Sequence, residues 1–175
     1  ADDDDDNDGF LDTRELECES DHLNATDIPQ DLDGDGVCDA LDDDDDGDGL
    51  ADLIESDSGI YNSYLDSGTD PRNPDTDGDG VCDGPKSPVT SNCTAGPDVF
   101  PHDPSAHTDT DGDGMPDDMF GNSTSAPPLV LDLDDDNDLW SDIDEVACGT
   151  EPLNSSSTPV DTDGDGICDA LDDLL

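Results

Sequence analysis

Apolar residues occur one at a time along this chain, at a fixed place in a recurring acidic string. Phe10, Val37, Leu50, Val81, Met115, Trp140 and Ile167 each lie six residues after the first Asp of such a string. The intervening segments carry Pro, Gly, Ser and further Asp, as at Pro29, Pro74, Pro85, Pro88 and Pro101. Such flanks interrupt helices and strands, so regular elements are expected to be scarce. Only Asp52–Glu55 and Asp142–Ala147 could turn helically, for a turn or two. Pro127–Leu133 is the one apolar, strand-like run and is expected to pack on Trp140. The seven single apolar residues would face a thin seam, a core one residue thick.

The acidic strings are arranged rather than scattered. The pattern D-x-D-G-D-G begins at Asp31, Asp44, Asp75, Asp109 and Asp161, with relatives at Asp4 and Asp134. Shuffling this composition would give about 0.03 copies of the strict pattern, so composition does not explain five. One isolated copy would read equally well as a solvated Asp-Gly linker. Seven copies with later positions in register do not.

Alternating carboxylates separated by Gly suit a hard cation with many oxygen ligands. Calcium takes 6–8 oxygens, and a twelve-residue loop supplies them from positions 1, 3, 5, 7 (a backbone carbonyl), 9 and 12. Gly at position 6 permits the sharp turn through positive φ. On this spacing loop 1 would use Asp4, Asp6, Asp8, the Phe10 carbonyl, Asp12 and Glu15. Loop 2 would use Asp31, Asp33, Asp35, the Val37 carbonyl, Asp39 and Asp42. Loop 3, the most complete, offers Asp44, Asp46, Asp48, the Leu50 carbonyl, Asp52 and Glu55. Loop 4 offers Asp75, Asp77, Asp79, the Val81 carbonyl and Asp83, and loop 5 offers Asp109, Asp111, Asp113, the Met115 carbonyl and Asp117. Loop 6 offers Asp134, Asp136, Asp138, the Trp140 carbonyl, Asp142 and Glu145. Loop 7 offers Asp161, Asp163, Asp165, the Ile167 carbonyl, Asp169 and Asp172. Position 12 fails at Lys86 and Phe120, so loops 4 and 5 must borrow an oxygen, use water or bind more weakly. Loop 6 carries Leu139 where Gly is expected. Magnesium is a weaker rival, because it keeps its waters and rarely takes an all-protein cage.

Composition sharpens this picture. The 175 residues hold 53 acids against 3 Lys and Arg, a formal charge of −50, with 29% apolar and 3% aromatic residues. That apolar supply cannot offset the ordering entropy of about 1–2 kcal/mol per residue, so a conventional core is excluded. Arg14, Arg72 and Lys86 are the whole cationic supply, which excludes a nucleic-acid footprint. No apolar run approaches the roughly 20 residues of a membrane span. His22, His102 and His107 are too few and scattered for a catalytic constellation, and paired carboxylates are too common here to signal a glycosidase. No enzyme is expected.

The missing flanking helices argue against an EF-hand or a dockerin module. Instead the chain resembles thrombospondin type 3 repeats, the calcium-binding repeats of secreted and cell-surface proteins. The likeness is carried by Gly68-Thr69-Asp70-Pro71 leading into Asn73-Pro74-Asp75-Thr76-Asp77-Gly78-Asp79-Gly80, and by the leads into Asp109 and Asp161. The resemblance implies an irregular chain with little regular secondary structure, wrapped around calcium ions and pinned by local disulfides. It implies ligand roles for the Asp positions named above.

Six Cys in an acidic, core-poor chain fit a secreted disulfide scaffold, and no CxxC pair suggests zinc. Six Cys allow 15 connectivities. Residues 1–45 align without gaps on 131–175 at an offset of 130, with 23 identities, placing Cys18 and Cys38 on Cys148 and Cys168. The expected pairs are Cys18–Cys38, Cys82–Cys93 and Cys148–Cys168. Asn24, Asn92, Asn122 and Asn154 head N-glycosylation sequons between the loops, and the first and last match at the same offset.

The organisation expected is loops 1–3 in residues 1–55, loops 4–5 in 56–130, and loops 6–7 in 131–175. The chain begins at Ala1 rather than Met, and Asp172-Asp173 would start an unfinished loop. It is therefore expected to be a segment of a longer array, the alternative being a natural terminus at Leu174-Leu175. The fold class expected is an elongated rod of tandem calcium-binding Asp/Gly loops stapled by local disulfides, with one or two Ca2+ per loop. The expected role is a non-enzymatic, glycosylated extracellular stalk, spacer or filament segment that self-associates or extends as an array. Calcium-dependent adhesion is the alternative, for which Trp140, Phe100, Phe120, Tyr61 and Tyr64 would have to supply a face. A calcium store or mineral nucleator is a third class.

Overall fold

The computed structural model describes residues 2–172, so Asp173 and the Leu174-Leu175 end lie outside the described residues. The chain forms two compact units, Ala1–His102 with loops 1–4 and Asp103–Leu175 with loops 5–7. Regular structure is sparse. Two short helices, α1 (Asp12–Glu17) and α2 (Asp142–Cys148), are the only ones among the described residues, and no strand occurs there. Two isolated bridges, Ser63 with Asp66 and Val81 with Thr94, are all the pairing seen.

Each helix starts at position 9 of its loop and turns the position-12 Glu inward: Glu15 and Glu145 are both 0% exposed. Acids in both first turns suit the helix dipole. In α2 the Ser141 side chain accepts from the Asp144 N–H at 3.3 Å, and Gly149 closes the far end at φ 82°. Helices of six or seven residues are not stable alone. Here Cys18 and Cys148, at or just past the helix ends, fix both by disulfides.

Three sequence expectations are corrected. Asp52–Glu55 forms a turn and not a helix, while Asp12–Glu17, for which no helix was expected, is helical. Its match to α2 at the 130 offset was the available signal. Pro127–Leu133 forms no strand, and Val130 and Leu133 are 66% and 62% exposed. The seam of single apolar residues is not a core: Phe10, Val37, Met115 and Ile167 are 37%, 37%, 36% and 47% exposed, and Leu50, Val81 and Trp140 are half-buried.

What lies inside is cystine and carboxylate. Among the described residues the buried apolar side chains are five of the six Cys, Ala106 and five prolines including Pro116, beside Glu15, Asp45, Asp46, Asp48, Glu55, Asp83, Asp98, Asp103, Asp132, Asp135, Asp136 and Glu145. The disulfides join Cys18–Cys38, Cys82–Cys93 and Cys148–Cys168, with Cα atoms 5.9, 5.2 and 6.1 Å apart. These are the three expected pairs, the first and last of them matched at the 130 offset. Closing loops of 11 to 20 residues contributes on the order of 3 kcal/mol each by the chain-entropy account.

Candidate metal centres

One backbone frame recurs in all seven loops. The position-9 N–H donates to the carbonyl just before the loop at 2.7–3.1 Å, as from Asp39 to Gln30 and from Asp169 to Val160. The position-9 carboxylate accepts the N–H of position 2, tying the loop shut from the other side. Inside this ring the carboxylates at positions 1, 3 and 5 accept N–H groups from positions 6, 5 and 7. Short Asp side chains make such turns readily, whereas Glu would overreach. The local sequence thus folds each acidic string into a ring: positions 3 and 5 each spend one oxygen on backbone, and in loops 2, 4, 5, 6 and 7 both oxygens of position 1 accept N–H groups.

Positions 4 and 6 take left-handed φ in every loop. Position 6 is Gly at φ 88–104° in six loops and Leu139 at φ 84° in loop 6. Position 4 is Gly in five loops and Asn7 or Asn137 in the other two, at φ 61° and 56°. Asn is the side chain that tolerates this region best.

Carboxylate oxygens of positions 1, 3 and 5 converge inside the rings. Ligand atoms of Asp4, Asp6 and Asp8 lie within 4.8 Å of one another, as do those of Asp31, Asp33 and Asp35, of Asp44, Asp46 and Asp48, and of Asp75, Asp77 and Asp79. In loop 1, Asp4 Oδ1, Asp6 Oδ2, Asp8 Oδ2 and both Glu15 oxygens are buried without a hydrogen-bond partner. In loop 6 the same holds for Asp136 Oδ2, Asp138 Oδ2 and both Glu145 oxygens. Burial pushes the Glu15 carboxyl up, with Asp6, Asp8 and Asp12 adding to it. Burial pushes Asp46 up to about 8, helped by Asp48 and Glu55. Burying carboxylates without donors or counter-charge is costly enough that a proton or cation is expected to join them. Several of these clusters could hold a metal ion, and an all-oxygen donor set fits calcium.

A further cluster crosses between loops. Asp48 (position 5 of loop 3), Glu55 (position 12 of loop 3) and Asp83 (position 9 of loop 4) are all buried with ligand atoms within 4.8 Å. Thr69 Oγ1 donates to Glu55 Oε1 at 2.9 Å, leaving Glu55 Oε2 buried without a hydrogen bond. Gly84 packs where a Cβ would strike Asp48, so the approach of loop 4 requires its missing side chain. Counting spacing within one loop at a time could not have shown this meeting.

The two residues at failed twelfth positions point elsewhere. Lys86 sits 3.5 Å from Asp44 of loop 3, and its N–H donates to the Asp48 carbonyl at 2.6 Å. Phe120 stacks on His107 at 4.9 Å, and its N–H donates to the Ser105 carbonyl at 2.8 Å. The other cations also reach loops. Arg72 bridges Asp39 and Asp45, and Arg14 donates to the Gly36 carbonyl at 3.0 Å.

The four sequon residues Asn24, Asn92, Asn122 and Asn154 are all exposed. Three disulfides point to a non-cytosolic protein, and no helix is long and apolar enough to cross a membrane. No family model matches the chain, and no curated protein matches it significantly.

Proposed function

We propose that this chain is a non-enzymatic extracellular structural element: a calcium-stabilised, glycosylated rod serving as a stalk, spacer or filament segment. The observation that carries the reading is the pair Glu15 and Glu145, each fully buried with neither oxygen hydrogen-bonded, each beside converging Asp side chains. Calcium there would take the place that apolar packing holds in other folds, so its binding free energy becomes folding free energy. The likeness to thrombospondin type 3 repeats supports the same reading.

One ion per loop would cancel 14 of the 50 negative charges. The remainder keeps rods soluble or is bridged by shared cations when chains associate. The disulfides and exposed sequons favour a cell-surface or extracellular place.

The test is chelation of the intact, disulfide-bonded chain followed by solution scattering and amide exchange. Calcium-loaded chain is expected to be ordered, and excess chelator to give an expanded polyanion. Order that survives chelation overturns the proposal. Intact mass of the native protein checks the sugars, with added glycan mass expected at the sequons and bare mass at all four counting against glycosylation.

A further inference from the structure

Loops 4 and 5 lack an acid twelve residues into the motif, yet the structure brings one back. In four other loops the position-12 N–H donates to the position-8 carbonyl. These bonds run from Glu15 to Leu11 at 3.0 Å, Asp42 to Cys38 at 3.0 Å, Glu145 to Ser141 at 2.9 Å and Asp172 to Cys168 at 3.0 Å. In loop 4 the same carbonyl, that of Cys82, accepts from Asp98 at 3.0 Å. In loop 5 it is the Pro116 carbonyl, which accepts from Asp132 at 2.9 Å. Both acids lie 12 residues beyond the failed positions Lys86 and Phe120, and the two loops share this displacement. Each excursion leaves after position 8 and returns onto the bond a single helical turn would have made.

The side chains match as well. Asp98 Oδ1 accepts the Phe100 N–H at 2.7 Å, and Asp132 Oδ1 accepts the Asp134 N–H at 3.1 Å. Asp42 does the same with Asp44 at 3.1 Å. Asp98 is 6% exposed, and its second oxygen is buried without a hydrogen-bond partner. The charges acting on it are those of Asp79, Asp77 and Asp83, all in loop 4. Asp132 is likewise 6% exposed, and it acts on Asp111 at position 3 of loop 5. Gly96 allows the return, because a Cβ there would strike the Cys82 carbonyl.

We infer that Asp98 is the displaced twelfth ligand of loop 4, completing a divalent-cation site with Asp75, Asp77 and Asp79. This rests on the reading of the loops as calcium sites. It adds that loop 4 is a complete six-ligand loop.

The experiment is a calcium titration of the full, oxidised chain by amide NMR, reading Gly78 and Gly80 for loop 4 and Gly164 and Gly166 of loop 7 as the internal reference. Asp98→Asn keeps the backbone bond and the Oδ1 acceptor but removes the charge. It is expected to raise the calcium needed at Gly78 and Gly80 by about tenfold or more, since ligand charge sets affinity, and to leave loop 7 unmoved. If Gly78 and Gly80 titrate as in the wild type, the inference is overturned while the calcium reading stands. If the wild-type chain shows no calcium-dependent shifts, the calcium reading itself falls. Gly34 and Gly36 of loop 2, in the same unit, separate a ligand from a packing role: they should titrate in Asp98→Asn as in the wild type, and their loss together with Gly78 and Gly80 overturns the inference.

Discussion

The Leu139 N–H donates to the Asp134 carboxylate at 3.1 Å with Leu139 at φ 84°, so a branched side chain holds the conformation that glycine holds in the other six loops. The left-handed region costs a non-glycine residue about 1–2 kcal/mol, partly offset by the greater chain entropy glycine loses on folding. Leu139→Gly should therefore stabilise the protein by roughly 0.5–1 kcal/mol. The reverse change in loop 7, Gly166→Leu at φ 88°, should cost a similar amount, because open space around Gly166 leaves only backbone strain. Thermal unfolding of both variants checks the pair, and equal midpoints for all three proteins would sink the argument.

Arg72 ties loop 2 to loop 3 through Asp39 and Asp45. Its side chain is 51% exposed, so water and salt screen the pairing and its worth is about 1 kcal/mol or less. Arg72→Gln should lower the stability of residues 2–102 by about that amount. The loss should shrink as ionic strength rises, which chemical denaturation at low and high salt would show.

Asp103 gathers hydrogen bonds from Ser105, Ser123, Thr124 and Ser125 while only 2% exposed. Burial alone would push its pKa up, but these donors outweigh it and hold the carboxyl well below the usual range. A folded pKa below the unfolded one gives stability that is full above about pH 4 and is lost as pH falls toward the folded value. Asp103→Asn should cost about 2–4 kcal/mol near neutrality. That cost should diminish on acidification from about pH 5 to pH 2, and a constant gap across this range would contradict the assignment.

Lys and Arg all fall in residues 2–102, as Arg14, Arg72 and Lys86, and residues 103–172 contain none. The second unit therefore has no Lys or Arg to offset its clustered carboxylates. If the loops hold calcium as proposed, graded chelation should accelerate amide exchange in 103–172 at a higher free calcium than in 2–102. Simultaneous loss of protection in both units would show that the fixed cations contribute little.

Much of this architecture was legible because it is local. The loop frame spans nine residues, and its Asp and Gly positions follow from turn chemistry alone, as did the Cys18–Cys38 and Cys148–Cys168 pairs from the repeat at 130. Position 4 could also have been read, since Asn7 and Asn137 replace Gly with the next residue best suited to left-handed backbone. The long-range contacts were not legible. Asp98 was hidden by the intervening excursion, and the meeting of Asp48 and Glu55 with Asp83 depends on how loop 4 packs against loop 3. The apolar seam failed for a physical reason: position 7 donates its backbone to position 5, and nothing in that bond turns its side chain inward. The short apolar run at Pro127–Leu133 had no partner strand, so alternation alone did not make it one.

Because Asp98 and Asp132 return to the carbonyls of Cys82 and Pro116, the segments between them behave as cassettes. Their ends are fixed by the ring that they leave and rejoin, and closure entropy grows only slowly with length. Sequence can be added or decorated at exposed positions there such as Val89 and Asn92, while Asp83, Asp117, Cys93 and Ser123 stay fixed by their contacts. The sequons at Asn92 and Asn122 occupy these two cassettes, where variation is cheapest.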